Sequence, residues 1–138
     1  MFSKTNLIST LLVAIWAYFG GYLLWAILGA PFLAEHLGSA TGVTREPVDM
    51  IHLILGCIVT AFAFSTMYGK WANEKFSAGN GVVFGVWLAI FIGLGLGLVD
   101  FATTNVLDIV GTLASAGIYV VFLGVFGLLA GLVYSKMS

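Results

Sequence analysis

Along this chain, long apolar runs alternate with short polar breaks, and no run shows the strict two-residue alternation of a half-buried strand. Four runs, about 6–33, 48–70, 79–99 and 106–135, reach or exceed the roughly 20 apolar residues that a helix needs to cross a bilayer. They are apolar on every side, whereas membrane-barrel strands alternate. The pattern predicts an all-α integral membrane four-helix bundle, a single transmembrane domain over 1–138. The first and last runs exceed the minimum, which predicts tilt or extension past the hydrocarbon.

The polar breaks place the expected ends. Gly29, Pro31 and Glu35-His36 are expected to close the first span, and Pro47 to sit in the first turn of the second. Ser77, Gly79 and Asn80 separate the second span from the third. Asn105 is expected to cap the fourth, with Asp108 complementing its positive end. The run from Leu7 to Leu33 exceeds the 7–15 residues, roughly, of a signal-peptide core, so it reads as a retained span.

Composition turns this pattern into a class. Of the 138 residues, 61% are hydrophobic and 8% charged, against about 25% charged in a soluble domain. Mean hydropathy is +1.11. These values exclude a soluble globular protein and a disordered chain. Net charge is −1, so no basic surface is available for nucleic acid. The single Cys57 excludes an intrachain disulfide, and no cofactor or metal motif is present.

The few charges are sorted. Lys4, Lys70, Lys75 and Lys136 fall on one side of the spans, with Glu74 as the one acid there. Arg45 falls on the other side with Glu35, Glu46, Asp49, Asp100 and Asp108. The positive-inside rule then predicts cytoplasmic N- and C-termini. Tyr68, Trp71 and Tyr134 stand near lysines at span ends, as interface anchors do.

Small residues also fall in register. Gly81, Gly85, Ala89, Gly93 and Gly97 repeat every fourth position and form one line down the third span. Gly117, Gly124 and Gly131, with Gly127, do the same on the fourth. Membrane helices associate by close packing along such lines. One ridge is expected to pack the hairpin of the third and fourth spans, and the other to face the first span or a second copy.

Three polar or aromatic sets are candidates for chemistry. No charge lies mid-span, which argues against an ion-coupled carrier. At the acidic side, Asp49, His52, Asp100 and Asp108 form a possible polar site, or else solvated acids that complement helix ends. The two histidines lack the paired mid-helix placement of haem ligands. Tyr18, Tyr22 and Trp25 share a helix face and form either a ligand wall or aromatic packing. Thr112, Ser115 and Tyr119 form a possible polar path, or hydroxyls bonded to their own helix. No nucleophile elbow, phosphate loop or catalytic dyad is visible, so no enzyme is expected.

The segments Gly21-Tyr22-Leu23-Leu24-Trp25 through Ala30-Pro31-Phe32, the aromatic- and lysine-ended second span, and Gly93-Leu94-Gly95-Leu96-Gly97 leading to Asn105 resemble a group of short bacterial four-helix inner-membrane proteins with no assigned activity. The resemblance implies the fold and a bacterial inner membrane, and no mechanism.

The expected role is structural, in contact with membrane lipids: an accessory subunit of a larger membrane complex, or a homo-oligomer, associating through the glycine faces. The alternatives are a small channel or transporter for an uncharged or weakly polar solute, and a lipid- or quinone-binding module.

Overall fold

The computed structural model describes residues 2–43 and 47–137; Arg45 and Glu46, assigned above to the acidic side, lie outside them. Four helices are long and apolar enough to cross a membrane: α1 Lys4–His36, α2 Met50–Trp71, α3 Ala78–Thr103 and α4 Ile109–Met137. The described residues contain no strand, only one antiparallel bridge between Leu37 and Leu107.

Each helix begins on a side-chain oxygen. Ser3 accepts from the Asn6 N–H, Asp49 from His52, Ser77 from Asn80 and Asp108 from Gly111. These caps satisfy N–H groups that have no intrahelical acceptor. They also correct two expected boundaries. Pro47 precedes the cap of α2 and so lies outside its first turn. Asp108, one residue before α4, caps it in place of Asn105, whose carbonyl accepts from the Ala40 N–H instead. Of the residues expected to close α1, Glu35-His36 do so: the helix runs past Pro31 and ends at His36.

Pro31 is tolerated because the helix changes pitch before it. Residues Tyr22–Gly29 form a π-helical stretch, followed by the short α-turn Ala30–Leu33. Pro31 falls in the first turn of that segment, where a missing N–H costs little. A Cβ on Gly29 would stand 2.6 Å from the Leu24 carbonyl oxygen, so the stretch requires glycine there. A second π-helical stretch, Ile90–Leu96, interrupts α3.

Helix α4 is the hub. It packs along the length of α3, against α1, and more sparingly against α2, while α1 and α2 pack on each other. The buried core gathers at the lysine-bearing end, where Phe64 meets Phe84 at 5.1 Å and Phe126 at 5.3 Å. Tyr68, Ala130 and Tyr134 complete that core. At the opposite, acidic end, α2 separates from the bundle: from Met50 to Thr60 only Cys57 is even partly buried. Large apolar side chains such as Leu11, Ile51, Trp87, Phe91 and Leu113 are exposed and suit a lipid environment.

Candidate functional site

Alpha helix α3 approaches α4 through glycine, and that approach stops short of the acidic end. A Cβ on Gly81 would run into the Gly127 carbonyl, and one on Gly85 into the Leu123 carbonyl. Gly131 abuts the Ser77 backbone, and Ala89 is fully buried. Gly93 still faces Ala116 and Tyr119, whereas a Cβ on Gly97 would meet Thr112 Cγ2 at an ordinary 3.6 Å. The seam therefore widens beyond Gly93, where α3 is π-helical. Such stretches displace a helix face and frequently mark functional sites.

The widened seam holds a cavity of about 400 Å³. Its walls include Gly93, Gly97, Asp100, Thr112, Ser115 and Tyr119. Thus the three members of the expected polar path do meet, and Asp100 from the expected acidic site joins them. Two hydroxyls at this end are already committed: Thr112 Oγ1 donates to the Asp108 carbonyl at 2.9 Å, and Thr104 Oγ1 to the Asp100 carbonyl at 2.7 Å. Among the described residues, the Ser115 and Tyr119 hydroxyls and the Asp100 carboxylate have no hydrogen-bond partner and are left to face the space. Toward the lysine end the contacts of Gly85 and Gly81 close the seam.

The cavity roof is tied to α1. Val106 and Leu107 line the space, and the segment that carries them pairs with the end of α1. The Gly38 N–H donates to the Val106 carbonyl at 2.9 Å and the Asp108 N–H to the His36 carbonyl at 2.8 Å. The His36 ring Nδ1 lies 3.0 Å from Asp108 Oδ2. The Gly111 backbone N–H, aided by His36, holds the Asp108 carboxyl below the usual aspartate value.

The other expected groupings are dispersed. Asp49 pairs with its own helix, its carboxylate 2.6 Å from His52 Nδ1, and the His52 backbone N–H lowers its pKa. Asp49, His52, Asp100 and Asp108 thus do not form one site, and no group of three metal-ligating side chains occurs among the described residues. Tyr18, Tyr22 and Trp25 are also separated. Tyr18 borders an apolar groove with Ile54 and Cys57, while Tyr22 is 63% exposed. Trp25 packs edge-on to Tyr119 and Phe122, at 4.8 and 5.0 Å. An ordinary α-turn joins Tyr18 to Tyr22, whose N–H donates to the Tyr18 carbonyl, whereas the spacing from Tyr22 to Trp25 falls within the π-helical stretch. Gly117 and Gly124 face open space, with nothing within 4 Å of a Cβ.

Two polar clusters escaped the sequence reading. One is the His36–Asp108 tie. The other is a seam at the lysine end: Asn6 Nδ2 donates to Thr66 Oγ1 at 2.9 Å, Ser9 Oγ and Ser65 Oγ are 2.8 Å apart, and the Tyr134 hydroxyl donates to the Ser65 carbonyl at 3.1 Å. The signal available was the helical spacing of Asn6, Ser9 and Thr10 within an otherwise apolar run.

Comparison with protein-family models, curated proteins and solved structures gives no match.

Proposed function

We propose that the protein is a non-catalytic multi-pass protein of a bacterial inner membrane, with both termini cytoplasmic, that binds a small amphipathic molecule between α3 and α4. The carrying observation is the cavity itself, in which the unpaired Asp100, Ser115 and Tyr119 groups share one apolar-walled space. A few convergent polar groups in an otherwise apolar cavity are the usual composition of a small-molecule site. The sorted lysines support the orientation, which puts this cavity in the outer half of the bilayer. The aromatic set Tyr18, Tyr22 and Trp25 is replaced as the ligand wall by Tyr119, on which Trp25 packs. A continuous solute path would need the Gly81 and Gly85 contacts to part, which leaves the transport reading with less support.

Gly97→Leu tests this reading by filling the space beside Thr112. Native mass spectrometry of protein extracted in non-ionic detergent is expected to show a small-molecule adduct on the wild type and none on the variant. Equal adducts on both proteins, or none on either, would overturn it.

A second reading, assembly as a homo-oligomer or accessory subunit, is favoured by one observation. Gly117 and Gly124 are open on a stripe that also bears Leu113, Val121 and Leu128. Gly85 and Gly93 are occupied within the chain, so association would use the α4 stripe. Gly117→Leu and Gly124→Leu should then change crosslinking without changing thermal stability.

A further inference from the structure

The α3–α4 cavity has a charge character that narrows its ligand. Among the described residues, Asp100 is the only formally charged one in its wall, and no lysine or arginine lines it. Among the described residues the Asp100 carboxylate has no counter-ion. In most positions near a protein surface such a group is simply hydrated. Asp100 is exposed, and it also borders a space bounded by the apolar Ile92, Leu96 and Phe101, so a cation seated there meets its field across less water than in bulk.

Backbone dipoles leave that sign unopposed. Helix α3 ends at Thr103, and its negative end is partly answered, because the Val99 and Asp100 carbonyls accept from the Thr103 and Thr104 hydroxyls. The opposing positive end of α4 is already answered, because Asp108 accepts the Gly111 N–H at 2.7 Å. The remaining free groups, the Ser115 and Tyr119 hydroxyls, each offer lone pairs as well as a proton. An anionic head would face the Asp100 carboxylate with no compensating base among the described residues. A cationic head would meet a carboxylate, hydroxyl oxygens and the faces of Tyr119 and Phe101.

We propose that the cavity between α3 and α4 is a site for an amphiphile with an ammonium head, held by Asp100 with Ser115 and Tyr119, its apolar part lying against Ile92, Leu96 and Phe101. The assignment rests on the ligand-binding reading above and specifies its chemistry. The ammonium group has two natural sources, an aminophospholipid of the membrane or a free cationic amphiphile.

The test uses the full-length protein in maltoside detergent, with hexyltrimethylammonium, hexanol and hexyl sulfate as probes in saturation-transfer NMR. Hexyltrimethylammonium is expected to bind best. Asp100→Asn should weaken it about five-fold or more, the upper end for a partly exposed ion pair, and leave hexanol binding unchanged. The Asp100 side chain has no described partner to lose, so this variant should fold. Ser115→Ala combined with Tyr119→Phe removes only hydroxyls and should weaken the cation by a smaller factor. Binding of hexyltrimethylammonium and hexanol with equal strength, unaffected by Asp100→Asn, would overturn the ammonium assignment and leave the ligand site standing. Failure of every probe to bind the wild type would overturn both. Lipid extraction separates the sources: aminophospholipid retained by the wild type and lost from Asp100→Asn identifies a lipid, and cation binding without such enrichment identifies a free amphiphile.

Discussion

Gly81 and Gly127 lie backbone against backbone, each occupying the space that the other's Cβ would need. The relationship is reciprocal, so neither position tolerates even a methyl group without separating α3 from α4. Gly81→Ala or Gly127→Ala is expected to destabilise the protein by about 1–3 kcal/mol, the usual cost of overpacking. Thermal unfolding in detergent measures this, and an unchanged melting temperature in both variants would refute the close approach.

The same substitution has the opposite sign one face away. Gly117 and Gly124 have nothing within 4 Å of a Cβ. Gly117→Ala and Gly124→Ala should be neutral or stabilising by up to about 1 kcal/mol, because alanine favours helix more than glycine does. Destabilisation there, at low protein concentration, would mean that this face is packed.

Hydroxyls tie α1, α2 and α4 at the lysine end. Tyr134→Phe removes the bond to the Ser65 carbonyl and should cost about 0.6 kcal/mol, typical of an interhelical bond in a membrane protein. Ser9 is fully buried, so Ser9→Leu should cost more, about 1–3 kcal/mol, through overpacking. A double-mutant cycle between Ser9 and Ser65 reports their coupling; a value of zero would show that the 2.8 Å contact contributes nothing.

Acid should loosen the acidic end. Asp108 and Asp49 are held below the ordinary aspartate value, chiefly by the backbone N–H groups of Gly111 and His52. A lowered folded-state pKa contributes stability that is present above the unfolded value and lost as pH falls through the folded one. Melting temperature should therefore drop between about pH 5 and pH 2. Asp108→Asn should flatten part of that slope and Asp49→Asn another part. A slope unchanged in the double variant would sink this account.

Hydropathy made the four helices legible because lipid demands long apolar runs, whatever they pack against. It could not reveal pitch. The π-helical stretches Tyr22–Gly29 and Ile90–Leu96 depend on which carbonyl each N–H reaches, and apolar side chains carry no record of that choice. The step from Tyr22 to Trp25 falls in such a stretch, so the 3.6-residue spacing does not apply to it. Thr112, Ser115 and Tyr119 lie within one uninterrupted α-helix, so their common stripe was readable. Asp100 was not assignable to them, because its position depends on where α3 departs from α4. The His36–Asp108 tie joins residues 72 apart in sequence, a pairing that spacing cannot supply.

Orientation has a direct measure. In a Cys57→Ser background, Val43→Cys should react with an impermeant maleimide on intact spheroplasts, whereas Lys136→Cys should react only after permeabilisation. The reverse pattern would invert the topology and place the α3–α4 cavity in the cytoplasmic leaflet.

The two ends of α2 are under different mechanical control. Its lysine end is clamped by Phe64, Ser65 and Tyr68 within the buried core. From Met50 to Thr60 it projects like a beam fixed at one end, facing α1 across a groove at Ile54 and Cys57. A beam held at one end turns about its clamp, so a small change of packing at Phe64, Ser65 or Tyr68 is magnified at Asp49, at the far end of α2.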